Sequence, residues 1–186
     1  MKYLSLINLS PNDHLICPDE FLDITWDSPA IKVMTDFRKE RPHIIDANTA
    51  AIDAQSFMAN IHVNVLLVVD ENLSLVGLLS PEVLSESGMV RLVAQGNRRD
   101  EIRVSDVMLP RYAIKALDYA TVCQSTIRDI IHTLKSSGHK YCLVIHGSKH
   151  QVCGLFNASD IAKSTHTPIV IEQRSSLADI VAAIAH

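Results

Sequence analysis

This sequence has little glycine, few cysteines and no long apolar run. Six glycines in 186 residues leave no clustered material for a Walker loop or a dinucleotide-binding fingerprint, both of which need glycines to let the backbone close on phosphate. The longest apolar run, Val65 to Val69, is the length of one strand, against the roughly 18 residues that a membrane helix needs, so no membrane partner is expected. Cys17, Cys123, Cys142 and Cys153 are scattered without a CxxC pair and read as reduced thiols used as small apolar side chains. Met1 to Asn8 carries one basic residue in an apolar stretch broken by Ser5 and Asn8, a poor secretory signal, and the expected location is cytoplasmic. Positive charge is also in deficit. At a formal net charge of -4, long-range attraction to a nucleic-acid backbone is excluded as a main function, although a small anion could still find a local basic patch.

What is present is a repeat. Apolar residues make up 47% and charged residues 20%, the balance of a chain that folds. Val33-Met34-Thr35 recurs as Val107-Met108-Leu109, 74 positions on, and each is followed by a short strand-like triplet, His43-Ile44-Ile45 and Tyr112-Ala113-Ile114. A helix comes next in each copy. Ile127, Ile130, Ile131 and Leu134 fit the i, i+3, i+4, i+7 stripe of an amphipathic face, as do Ala51, Ala54, Met58 and Ile61. Asp53 and Asp129 stand early in the two helices, where a carboxylate suits the positive end. Then two apolar runs flank a polar turn, Val65–Val69 with Leu75–Leu79 and Cys142–Ile145 with Val152–Phe156, each a hairpin signal. Gly77 and Gly154 interrupt the second run of each pair, marking a close approach by a neighbouring backbone or a ligand. A short helix closes each copy, around Pro81–Ser87 and Ala158–Ser164.

The unit is therefore β-α-β-β-α, present twice, and the fold class is α+β (mixed α/β), with the two units packed by pseudo-twofold symmetry through their sheets. A lone unit of about 60 residues buries only about 60% of its surface and would be marginal, so the copies should pack together. The expected divisions are an N-terminal extension over 1–30, a first unit over 31–90, a polar linker over 91–103 that reads as solvated or as a short helix end, a second unit over 104–165 and a C-terminal half-repeat over 166–186. In that last segment Ile169-Val170-Ile171 reads as a strand, and Ser175 to Ile184 repeats the pattern of Ser125 to Leu134. Its apolar helix face should dock on the main body or on a second subunit.

Together, Val33-Met34-Thr35, the strand ending Val68-Val69-Asp70 with Gly77 beyond it, Val107-Met108, and Gly154-Leu155-Phe156-Asn157-Ala158-Ser159-Asp160 resemble the cystathionine-β-synthase (CBS) domain in tandem, over about residues 31 to 165. The resemblance implies a flat homodimer, regulatory binding of an adenosine-containing ligand such as AMP, ADP, ATP, NAD or S-adenosylmethionine in clefts between the units, and no chemistry of its own. No cofactor is required; a bound adenine nucleotide is expected, and a protein target of unknown identity is compatible with it.

In that family the strand after the internal glycine ends in Ser or Thr, and an Asp three residues later grips the ribose hydroxyls. The second copy matches with Asn157, Ser159 and Asp160, although the same residues are ordinary helix caps and the two roles can coexist. The first copy departs. Val83 stands at the Asp position, so the site of Ser80, Glu82 and Ile45 is expected to be weak, empty or altered. For the main cleft the expected walls are Tyr112, Ala113 and Ile114 near the base and His139, Lys140 and Tyr141 at a strand start, with Arg111 as a further phosphate cation. His139, His146 and His150 gather around one hairpin without converging carboxylates or thiolates, so no metal site is expected. No nucleophile, base and orienter set is present, and the chain is read as a non-enzyme. The competing reading is a dimerisation or interaction module that keeps the architecture and has lost the ligand.

Overall fold

The computed structural model describes residues 24–85, 89 and 92–171. In order, a 3-10 turn at Ala30–Val33 leads into β1 (Thr35–Asp36), β2 (Ile44–Asp46), α1 (Ala51–Ile61), β3 (Leu66–Val69), β4 (Leu75–Leu79) and α2 (Pro81–Leu84). The second half mirrors the first. It runs α3 (Val104–Val107), β5 (Leu109–Pro110), a 3-10 turn at Arg111–Ala113, β6 (Ala116–Asp118), α4 (Tyr119–Cys123), α5 (Ile127–Ser137), β7 (Tyr141–His146), a 3-10 turn at Gly147–Lys149, β8 (Gln151–Asn157) and α6 (Ala158–Ser164).

The hairpins form as the apolar pairs predict. β3 and β4 are antiparallel, as are β7 and β8, and each pair has a register irregularity at the same place, Val68/Val69 and Val144/Ile145. Both long helices bury the stripes expected of them. Ile127, Ile130, Ile131 and Leu134 are all buried, as are Ala51, Ala54 and Met58, while Ile61 is half-buried against the same core. The α5 entrance is a capping box, with Thr126 accepting from the Asp129 amide and the Asp129 carboxylate accepting from the Thr126 amide. Those bonds hold the Asp129 carboxyl below the usual carboxylate range.

The sheets are not built from one copy each. Their strand orders are β2-β3-β4-β5 and β1-β8-β7-β6, so β1, the opening strand of the first copy, pairs with β8 of the second, and β5 pairs with β4 of the first. The exchange is in matching register. Asp36 lies opposite Gly154, and Pro110 lies opposite Gly77. Edge position is what lets Pro110 sit in a strand, because its missing N–H faces no neighbour. The residues before each exchanged strand travel with it. Ala30 donates to the Ser125 carbonyl and Ile127 to that of Ser28, and in the other half Val104 donates to Thr49 and Ala51 to Ile102.

The exchange explains the internal glycines. A Cβ on Gly154 would lie 2.8 Å from Met34 Sδ and 2.9 Å from the Thr35 carbonyl oxygen, and one on Gly77 would collide with Met108 and lie 2.9 Å from the Leu109 carbonyl oxygen. The close neighbour is the borrowed strand's backbone. Arg38 ties this strand down further, with a two-pronged bond to the buried Asp36 at 2.7 and 2.6 Å and a bond from Nη2 to the Tyr119 hydroxyl at 3.0 Å. The guanidinium holds the Asp36 carboxyl below its ordinary range.

Three apolar clusters follow from this topology. One lies under α5 and includes Phe156, Ile161 and the visiting Met34 and Ala30; one lies under α1 and includes Leu66, Leu79, Ile102 and Val104; the third, Leu67, Leu78, Leu143 and Leu155, joins the sheets face to face. Packing through the sheets is thus realised in four leucines.

Several sequence expectations shift here. The second-copy strand equivalent to β2 is Ala116–Asp118, whereas Tyr112 and Ala113 form a 3-10 turn, because Pro110 ends the borrowed strand and the chain turns before it re-enters a sheet. The polar linker reading fails at its end, where Ile102 is buried in the first core. Residues 24–30, assigned to the extension, pack on the second half, with Trp26 beneath Arg128 and Asp27 paired to it at 2.9 Å. Ile169-Val170-Ile171 forms no strand; Ile171 is buried against the second core instead. The Ser175–Ile184 repeat lies outside the described residues. Among the described residues no helix is long and apolar enough to cross a membrane, and no group of three metal-ligating side chains gathers.

Candidate functional site

Asp160 stands in the first turn of α6. Asn157, buried, accepts from the Ser159 amide at 3.0 Å to cap the helix, and its side-chain amide donates to Asp160 Oδ2 at 2.9 Å. Capping and positioning are therefore one arrangement. Asn157 both caps the helix and supplies a donor that orients the carboxylate. Among the described residues Oδ1 receives only a long contact from Lys163 Nζ, 3.4 Å, and the Asp160 side chain remains 46% exposed, so the carboxylate has spare acceptor capacity. Ser159 is exposed on the next position and is not part of the cavity wall.

The carboxylate forms part of the wall of a cavity of about 200 Å³ between the halves. Its other walls are not those the sequence suggested. They come from the first copy: Thr35 and Phe37 on and after the borrowed strand, Arg41 and His43 on the approach to β2, and His62 to Val65 at the end of α1. The floor is Leu67 and Leu155, two of the leucines that join the sheets. Arg41 is exposed and makes no ion pair among the described residues, so the mouth offers a free guanidinium beside two imidazoles, with Glu40 opposing them. A second hollow of about 380 Å³ next to it, between α1 and α2, shares His62 to Asn64 but has no carboxylate in its lining.

The residues expected around Asp160 are distributed elsewhere. Lys140 and Tyr141 turn to the pseudo-symmetric cleft, where they bond to Glu82. His139 precedes them at the end of α5 and is half-buried. Tyr112 is 88% exposed, too open to wall a base; Ala113 and Arg111 share its turn, which packs on β4 of the first half. Ile114 belongs to the cluster between the sheets. Of the second-site residues, Ser80 and Glu82 meet at that cleft, but Ile45 is buried in the first core and faces no opening. The cause of the displaced walls is strand exchange. Because β1 crosses to the second sheet, the Asp160 carboxylate of one copy faces the entry segment of the other. Gly154 beside Met34 was the available clue, since a glycine there implies a crossing backbone but does not say whose.

Comparison with solved structures gives the fold its relatives. The chain superposes on a conserved CBS-domain protein from Thermoplasma acidophilum with a TM-score of 0.50 and 22% identity, covering 82% of this chain and 77% of that one. An uncharacterised conserved protein from Pyrococcus horikoshii aligns with a TM-score of 0.55 at 16% identity over 78% and 98%. CBSX2 of Arabidopsis thaliana, a CBS-pair protein solved in complex with AMP, aligns with a TM-score of 0.52 at 18% identity over 75% and 96%. The sequence matches no protein-family model and no curated protein. The fold is that of tandem CBS domains, a mixed α+β pair with two four-stranded sheets.

Proposed function

We propose that this chain is a regulatory module that binds an adenosine-containing ligand in the Asp160 cleft. The observation that carries the reading is the half-exposed carboxylate of Asp160, oriented by Asn157, on the wall of a cavity between the two halves. A carboxylate with free lone pairs accepts from two adjacent hydroxyls, which is what a ribose offers. Phe37, Val63 and Val65 supply apolar wall for a flat base, and Arg41 with His43 and His62 supplies cationic or hydrogen-bonding partners for phosphate. CBSX2 supports the choice of class, since the same fold there holds AMP.

Calorimetric titration with AMP, ADP, ATP, NAD and S-adenosylmethionine tests this. At least one should bind, and Asp160→Ala should weaken it about 10- to 150-fold, the equivalent of the roughly 1.5 to 3 kcal/mol of a hydrogen bond to a charged group. Absence of heat and of thermal shift with all five would overturn the reading.

A second reading, an interaction module, draws support from α1. Ile52 is 43% and Phe57 41% exposed on its outer side, and a homodimer would cover them. The two readings part at the Asp160 cavity, which the interaction module would leave without a ligand.

A further inference from the structure

The cleft on the opposite side of the pseudo-twofold axis has been given different side chains. The repeat carries Asn157, Ser159 and Asp160 onto Ser80, Glu82 and Val83, and carries Asn64 and Val65 onto Lys140 and Tyr141. Where the Asp160 cleft has Asn64 and Val65, this one has the longer Lys140 and Tyr141, together with a glutamate. Glu82 extends from α2 of the first half across to the second. Its Oε1 accepts from Lys140 Nζ at 2.8 Å and its Oε2 from the Tyr141 hydroxyl at 3.2 Å. The buried Ser80 lies beside the same carboxylate and helps to hold it in its charged form.

One ammonium and one hydroxyl of the second half thus converge on the carboxylate of the first, with Ser80 beside it. That is the donor set of an oxyanion site, and Glu82 is what fills it. Burial alone would push the Glu82 carboxyl up, but Lys140 and Ser80 outweigh it and hold the group below the usual glutamate range, so it is ionised at neutral pH. The Tyr141 hydroxyl is also 3.2 Å from the Asn64 carbonyl. With one proton and two acceptors it is satisfied either way, and it stays in place if the carboxylate leaves.

We infer that the second cleft is an oxyanion site closed from within, in which the Glu82 carboxylate is the intramolecular occupant of a seat made by Lys140, Tyr141 and Ser80. A tethered group competes at an effective concentration in the millimolar range or above, so a free anion of equal intrinsic affinity is shut out at lower concentrations. Solvent still reaches the seat, since the Lys140 and Glu82 side chains are 33% and 43% exposed. The ligand class is a tetrahedral oxyanion, phosphate in the first instance. The inference needs neither a base nor a sugar and does not rest on the Asp160 reading.

The test uses inorganic phosphate followed by calorimetry on the full chain. Glu82→Ala should bind phosphate at least 10-fold more tightly than the wild type, and Glu82→Ala combined with Lys140→Met should lose the gain. Glu82→Gln, which keeps the volume and a partner for Tyr141, should move the same way by a smaller factor and covers the case in which the alanine variant folds poorly. No gain in either folded variant would overturn the inference. So would a gain that survives Lys140→Met, which would mark an adventitious ion only, for instance at Arg41. Loss of AMP binding in Asp160→Ala belongs to the other cleft and leaves this result untouched.

Discussion

At the scale of single residues, the two glycines in the last strand of each copy decide more than any charged group. Gly154 has no room for a methyl because the Thr35 carbonyl oxygen would stand 2.9 Å from it, and a backbone atom in a paired strand cannot swing aside. Gly154→Ala should therefore cost about 1 to 3 kcal/mol in urea denaturation, the usual range for overpacking a tight site. Shortening the sulfur-bearing neighbour with Met34→Ala should recover only part of it, since the carbonyl remains. These glycines were legible in the sequence as points of close approach. Asp160 was legible as well, by its position three residues after Asn157, but the second role of Asn157 in orienting it was not, because a cap and a positioning residue look the same in one dimension.

Among elements, α1 and α5 occupy equivalent places and differ on their outer sides. α5 carries Arg128, Asp129, His132 and Lys135 there, while α1 carries Ile52 and Phe57 with Asp53 as its charged residue. Both buried stripes could be read from periodicity, because burial selects the 3.6-residue spacing directly. The outer side of α1 was less legible, since a few exposed apolar residues are ordinary on any surface. If that side joins two molecules, Phe57→Glu should shift sedimentation from dimer to monomer while leaving the circular dichroism spectrum unchanged. A wild type that sediments as a monomer would remove the interface. The misplaced strand is instructive too. Tyr112-Ala113-Ile114 has strand-like composition, yet Pro110 has already ended the pairing, and the next strand begins at Ala116 where Leu117 and Asp118 line up with Ile45 and Asp46.

For the molecule as a whole, the repeat and its approximate twofold relation were available from the sequence, and the pairing of walls around each cleft was not. Nothing in Val33-Met34-Thr35 says which sheet it will join; the strand that follows lies on β8 of the second copy and not on β4 of its own. The joint between halves is correspondingly extensive, with β1 and β5 exchanged, four leucines between the sheets and the Glu82 clamp. The connecting stretch contributes little to it at Arg98, whose side chain is 72% exposed and, among the described residues, pairs only with its neighbours Asp100 and Glu101. Brief trypsin treatment should cut after Arg98 or Arg99, and the two fragments should elute together from a sizing column, separating only in urea. Fragments that part in native buffer would contradict the exchange.

A severed chain that stays whole also says something about its parts. One copy alone would have a sheet lacking its border and a ribbon with nothing to lie against, so it could complete itself only by meeting a twin. The covalent thread through the middle then does not hold the structure together so much as ensure that the twin is always the right one.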